Sequence, residues 1–204
     1  MVNQEKKNLI FFNAEENIKK YGLKYFRITQ LCIDIHISKR TFYKIFCSKE
    51  ELIKELYLNM LIGSYEDVIF ILQAKTSFIN KIEDISNIIE KRFYLFNNDS
   101  MDDLENSYPS VFLEVSSFRN ERIKPLLILL IKKAQKHKII NDFEPELLID
   151  LFFVSITSIF TEKLRNMENG NNQYQFRDIF NLILNGLLSK RGKSSLNYKL
   201  TKLR

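Results

Sequence analysis

The chain has 204 residues, 45% of them hydrophobic, with only three prolines and five glycines and a formal net charge of +6. That length suits one domain of moderate size or a small domain fused to a larger one, and so little Pro and Gly leaves room for long helices. The longest apolar run, Leu126–Ile131, is far below a membrane span, and Leu9–Phe12 is too short for a signal peptide, so the expected location is the cytoplasm. Charge is unevenly spread. The first fifty residues hold ten Lys and Arg against five Asp and Glu, the stretch from Lys190 onward holds six against none, and the middle is slightly acidic. Basic ends favour an anionic partner. Cys32 and Cys47 form neither a C-x-x-C pair nor a metal-ligand array, so free thiols are expected, with no metal and no cofactor.

In chain order, a first helix is predicted over Glu5–Tyr21, with Ile10, Phe11, Ala14, Ile18 and Tyr21 at near-helical spacing and Gly22 as its stop. Leu31–Leu52 then reads as two short helices joined by a tight turn, followed by the start of a much longer helix. Leu31, Cys32 and Ile35 give the first short helix an apolar face, and Ile37 packs across the turn. Ser38 is a good N-cap for the second, because its hydroxyl can accept a backbone N–H that lacks a partner. That helix carries Lys39, Arg40, Thr41, Tyr43 and Lys44 outward and buries Phe42, Ile45 and Phe46. Ser48 with Glu51 makes a capping box ahead of Leu52 and Ile53, so a third helix starts there. An outer side of Ser, Lys, Arg, Thr and Tyr on an apolar inner side is suited to phosphates and base edges.

The run Ile37-Ser38-Lys39-Arg40-Thr41-Phe42-Tyr43, then Phe46, then Ser48-Lys49-Glu50-Glu51-Leu52, resembles the helix-turn-helix of the TetR family of transcriptional regulators. The likeness extends upstream through Ala14, Ile18, Gly22 and Phe26, so it covers roughly the first quarter of the chain. It implies an all-α fold: a three-helix DNA-binding head over residues 1–47 and a helical effector-binding and dimerisation body over 48–191. The basic, acid-free run 192–204 is read from its composition as a disordered tail, with a phosphate-grasping arm as the alternative. The resemblance also implies that Tyr43 and Lys49 contact DNA phosphates. Three residues depart from the family's pattern. His36 stands where a turn Gly is usual, and His is among the few other residues enriched at positive φ. Arg40 replaces a frequent Gly and adds a long donor. Arg27 replaces a Thr that commonly caps the first helix of the motif.

Beyond Ser48 the long helix is expected to run through Leu52, Leu56 and Met60 toward Leu72, with Gly63 a weak point. Ile82, Ile85, Ile89, Phe93 and Phe96 stripe a helix over Asn80–Asn97, and the polar stretch Asn97–Asn106 reads as a loop or frayed turn. Pro109 sits early in a helix with Phe112, Val115 and Phe118, and Ile123–Lys138 is amphipathic with a basic end. Pro145 opens a helix reaching Leu164, Asn166–Gln173 is a loop, and the last helix covers Gln175–Lys190. Its apolar residues, Ile179, Phe180, Ile183, Leu184, Leu187 and Leu188, span a wide arc and need partners on two sides. Burial within one chain satisfies that, and so does pairing with a second copy; the resemblance favours a homodimer through the last two long helices, with Ser155 and Gly186 permitting close approach.

The expected function is a ligand-responsive, dimeric transcriptional regulator, a repressor that leaves a near-palindromic double-stranded operator when a hydrophobic or aromatic small molecule binds. Ser38, Thr41 and Tyr43 are assigned mainly to phosphates, and Lys39, Arg40 and Lys44 to base edges, with Arg40 matched to guanine. Phe93, Tyr94, Phe112, Phe118, Phe152 and Phe153 are candidates for an apolar pocket, and no catalytic residue is assigned. The alternatives are a DNA-binding or protein-docking module without an effector, and a helical enzyme. The enzyme is disfavoured because no paired carboxylate–His arrangement, Gly-rich phosphate loop or metal spacing is present.

Overall fold

The computed structural model describes residues 2–96, 98–159 and 176–195, and among these every extended element is a helix. The chain packs as two compact units, one of Met1–Ile62 with Tyr94–Ser117 and one of Gly63–Phe93 with Phe118–Arg204. The division expected after Cys47 separates roles; the packed units cut the chain differently, inside the long fourth helix.

The first unit contains α1 (Val2–Tyr21), α2 (Ile28–Asp34), α3 (Lys39–Ile45), the start of α4 (Lys49–Gln73), the end of α5 (Phe78–Phe96), α6 (Asn98–Ser107) and most of α7 (Pro109–Phe118). Ile10, Ala14 and Ile18 from α1, Leu31 and Cys32 from α2, and Phe42 and Phe46 at α3 form its buried core with Leu52 and Ile53. Phe11 meets Phe46 edge-on at 5.4 Å, and Phe42 lies 5.7 Å from Phe46. Gly22 closes α1 at φ 82°, donating to the Ile18 carbonyl at 2.8 Å, a conformation that favours glycine.

One expectation fails here. The stretch read as a loop, Asn97–Asn106, is largely the helix α6. Leu104 is fully buried, Ser100 is nearly so, and Tyr108 N–H closes the helix onto the Leu104 carbonyl at 2.8 Å. Tertiary burial of one face overrides a composition that is polar almost throughout.

The second unit holds the rest of α4 and α5, a π-helical turn at Arg119–Ile123, α8 (Lys124–Lys136), α9 (Pro145–Ile159) and α10 (Phe176–Leu187). The expected continuation of α9 to Leu164, the Asn166–Gln173 loop and the start of the last helix at Gln175 lie outside the described residues. The helix expected from Ile123 begins instead at Lys124, and it is joined to α7 without a break through the π turn. Its buried contacts include Leu130 and Ala134.

The tail expected to lack structure from Gly192 onward is helical over residues 190–195. Its entry is fastened by main-chain pairing. Ile140 and Leu188 form an isolated antiparallel bridge, Asn141 N–H donates to the Leu187 carbonyl at 2.9 Å, and Ser189 N–H donates to the Ile139 carbonyl at 3.0 Å. The Ser189 hydroxyl donates to the Lys138 carbonyl. Gly192 is buried so closely against this turn that an added Cβ would lie 2.1 Å from the Ile139 carbonyl oxygen. Backbone cannot give way there as a flexible side chain would. Gly192→Ala is therefore expected to destabilise the second unit by about 1–3 kcal/mol, whereas Ser195→Ala stays within about 0.5 kcal/mol. Denaturant melts of the two variants against the parent check this.

Candidate functional site

The turn between α2 and α3 is fixed by backbone. His36 adopts φ 55°, its N–H donates to the Ile33 carbonyl at 3.2 Å, and Ile37 N–H donates to the Cys32 carbonyl at 3.0 Å. Ser38 stands at φ −75°, ψ 151°, and its hydroxyl oxygen accepts from Thr41 N–H at 3.0 Å. The two hydroxyls of Ser38 and Thr41 also share a hydrogen bond of 2.9 Å. Lys39, Arg40 and Lys44 are all exposed. Tyr43 is 50% exposed, and its ring is set edge-on to the buried Phe42 at 5.2 Å. A buried aromatic on one side of α3 thus fixes where the three cations and the phenol stand on the other. Arg27 occupies the N-cap of α2 without making a side-chain cap; its guanidinium donates to the Lys24 carbonyl at 2.9 Å instead. The capping box at α4 is offset by one residue. Ser48 accepts from Glu51 N–H at 3.0 Å, but the Glu51 carboxylate accepts from Cys47 N–H rather than from Ser48.

Lys49 stands apart from the other cations. Its ammonium donates to the Phe26 carbonyl at 2.8 Å and lies 5.3 Å and 5.8 Å from the ring centres of Phe26 and Tyr108. Burial lowers its pKa, and the nearby Arg27 charge lowers it further. Cation–π contact and one carbonyl replace the water this ammonium has lost. Around it α6 and α7 are tied to the rest of the unit by polar contacts: Lys24 N–H to Asp103 at 3.1 Å, Ser110 Oγ to Glu50 at 2.8 Å, and Lys54 to Glu114 at 2.7 Å. Sequence reasoning missed Asp103, Tyr108, Ser110 and Glu114 as partners. They lie some fifty or more residues from the groups they meet, and no local pattern announces such a pairing.

The second unit holds a half-open apolar cavity of about 110 Å³. Ile82, Ile85 and Ile89 from α5, Leu127 and Ile131 from α8, Ile149, Phe152 and Phe153 from α9, and Ile183 and Leu187 from α10 are among its lining, which is entirely Ile, Leu and Phe. Phe152 packs edge-on to Phe153 at 6.0 Å and to Phe180 at 5.7 Å. Of the six aromatic candidates, Phe152 and Phe153 line this cavity. Phe118 instead meets Tyr65 edge-on at 6.2 Å, Phe112 belongs to the first unit, and the side chains of Phe93 and Tyr94 lie outside the description. The aliphatic lining was not singled out in the sequence, because the same stripes serve equally for plain core. On the outside, α9 exposes Leu147, Leu151 and Val154 along one face, and α10 exposes Leu182 at 77%. Among the described residues no helix is long and apolar enough to cross a membrane, and no group of three or more His, Cys, Asp or Glu side chains gathers to hold a metal.

Because Ser38 satisfies a backbone donor of α3, Ser38→Ala is expected to cost about 1 kcal/mol of stability, while Lys39→Ala, which removes a solvated cation, stays within about 0.5 kcal/mol. Urea titrations followed by circular dichroism distinguish the two.

No protein-family model matches the sequence, and no curated protein matches it. Solved structures do match. A TetR-family transcriptional regulator from Agrobacterium tumefaciens superposes with a TM-score of 0.71 at 14% identity, covering 92% of this chain and 100% of that one. The fatty acid degradation regulator FadR from Bacillus halodurans gives 0.66 at 16% identity over 89% and 96% of the two chains. The ketosteroid transcriptional regulator KstR2 of Mycobacterium tuberculosis gives 0.64 at 14% identity over 91% and 96%. At these identities the likeness is one of fold.

Proposed function

We propose that this chain, which has the fold of the TetR-family transcriptional regulators, is a dimeric DNA-binding regulator that responds to an apolar small molecule. The observation that carries the reading is α3. Lys39, Arg40, Tyr43 and Lys44 are exposed on one side of a helix whose other side is anchored by the fully buried Phe42. Two such helices, one per subunit, enter successive major grooves about 34–36 Å apart and read a near-palindrome. Ser38, Thr41 and Tyr43 set the register on phosphates, while Lys39, Arg40 and Lys44 reach base edges, Arg40 toward the O6 and N7 of a guanine. Lys49 is assigned a phosphate as well, since its ammonium keeps donors beyond the one given to the Phe26 carbonyl.

The exposed leucines and valine of α9 and α10 support pairing with a second copy, since an isologous two-fold contact buries the same patch on both partners. The cavity supports an effector without strong polarity. Two of the similar structures are a fatty acid degradation regulator and a ketosteroid regulator, and an apolar effector for this chain accords with those descriptions. Repression follows if the effector binds more tightly to a state with the two heads wrongly spaced, because a ligand shifts an equilibrium only by its differential affinity.

Selection of bound duplexes from a random library tests the DNA reading. The expected product is a palindrome with half-sites about one helical turn apart, lost with Tyr43→Ala and relaxed at one base with Arg40→Ala. Enrichment of nothing, with only weak salt-sensitive binding, overturns it. The role of Lys49 has its own readout. Lys44→Gln is expected to reduce affinity and lessen its salt dependence, and Lys49→Gln does the same only if the Lys49 ammonium meets a phosphate in the complex. For the pairing, Leu151→Glu is expected to yield monomers in sedimentation at concentrations where the parent is a dimer.

A further inference from the structure

The second unit contains a cation that its neighbours do not use. The π turn at Arg119–Ile123 joins α7 to α8, with Lys124 N–H donating to the Arg119 carbonyl. In an α-helix, residues five apart differ in direction by about 140°; the wider turn brings residues 119 and 124 close to one face. Residue 119 therefore shares the side of the helix from which Lys124 meets α9. Lys124 is matched: its ammonium meets Asp150 Oδ1 at 2.9 Å. Arg119 is not. It is half-buried, and among the described residues its guanidinium makes no hydrogen bond and no ion pair, although Asp150 lies within electrostatic range. Burial lowers its pKa and the Asp150 charge partly restores it. A partly desolvated guanidinium without an acceptor is costly, and its five donors suit a carboxylate in a two-pronged contact.

The place of this cation gives it a use. The Lys124–Asp150 pair is flanked on both helices by residues that line the apolar cavity, Leu127 three positions along α8 and Ile149 and Phe153 on α9. The lining offers no polar group to orient a bound molecule. The cavity and the spare guanidinium therefore supply the two halves of one recognition problem, an apolar body and an anionic head.

We propose that Arg119 is an anion-binding residue at the rim of the cavity, and that the effector is an amphiphile whose alkyl or aryl body enters the cavity while its single carboxylate pairs with Arg119. This rests on the reading of the cavity as the effector site. A carboxylate on Arg119 gains charge-assisted hydrogen bonds that an alcohol of the same size does not.

The experiment is calorimetric titration of the full chain with short- and medium-chain alkanoates and phenylacetate, each beside its matching primary alcohol. The expected result is that at least one acid binds about tenfold more tightly than its alcohol. In Arg119→Gln, shown to be folded by circular dichroism and by unchanged alcohol binding, that preference disappears; Arg119→Lys retains part of it. Equal affinity for acid and alcohol, or a preference that survives Arg119→Gln, overturns the assignment of Arg119 and leaves the cavity reading intact. Binding of neither acids nor alcohols overturns both.

Discussion

The outward side of α3 depends on the burial of Phe42 and Phe46 in the core of the first unit. A seven-residue helix does not persist in water on its own, because nucleation fixes several dihedrals before any hydrogen bond repays them. Two rings with no exposure, one of them touched edge-on by Phe11, convert α3 from a transient turn into a fixed platform. Tyr43 and the cations inherit their positions from that packing. Core packing thus sets where the outward side chains of α3 stand.

The polar contacts of the first unit distribute differently from its cations. Lys39, Arg40 and Lys44 remain exposed to solvent. Lys49 sits under Phe26 and Tyr108 with a lowered pKa, and it acts inside the protein as a tie between the α1–α2 connection and the α6–α7 corner. Lysines ten residues apart or fewer thus sit in unlike surroundings.

In the second unit the cavity and its rim show a similar division. The apolar lining provides volume and exclusion of water but no direction. Beyond that lining, the π turn sets residues 119 and 124 close to one face, and Lys124 pairs with Asp150 of α9. An extra residue in a helical turn disturbs the regular ladder, and such turns recur where a side chain must be re-aimed.

Much of this was legible in the sequence. The helix-turn-helix, the Ser38 cap, the positive φ at His36, the burial of Cys32 and the start of α7 at Pro109 all follow from interactions that reach no more than a few residues, which is the range over which sequence pattern carries information. What escaped were matters of long-range packing. The helix α6 hides in a polar stretch because its hold on the unit includes the buried Leu104 and a bond from the distant Lys24 N–H to Asp103, and Lys49 reads as a surface cation until Phe26 and Tyr108 close on it. Residues 190–195 look like the beginning of a tail until Gly192 is found against the Ile139 carbonyl. The sequence by itself determined the local geometry of α2–α3 and the chemistry on its outer side. Tertiary structure decided which charges are shared, which are shielded and which apolar stripes enclose a cavity, because each of those depends on groups that only folding brings within a few ångströms.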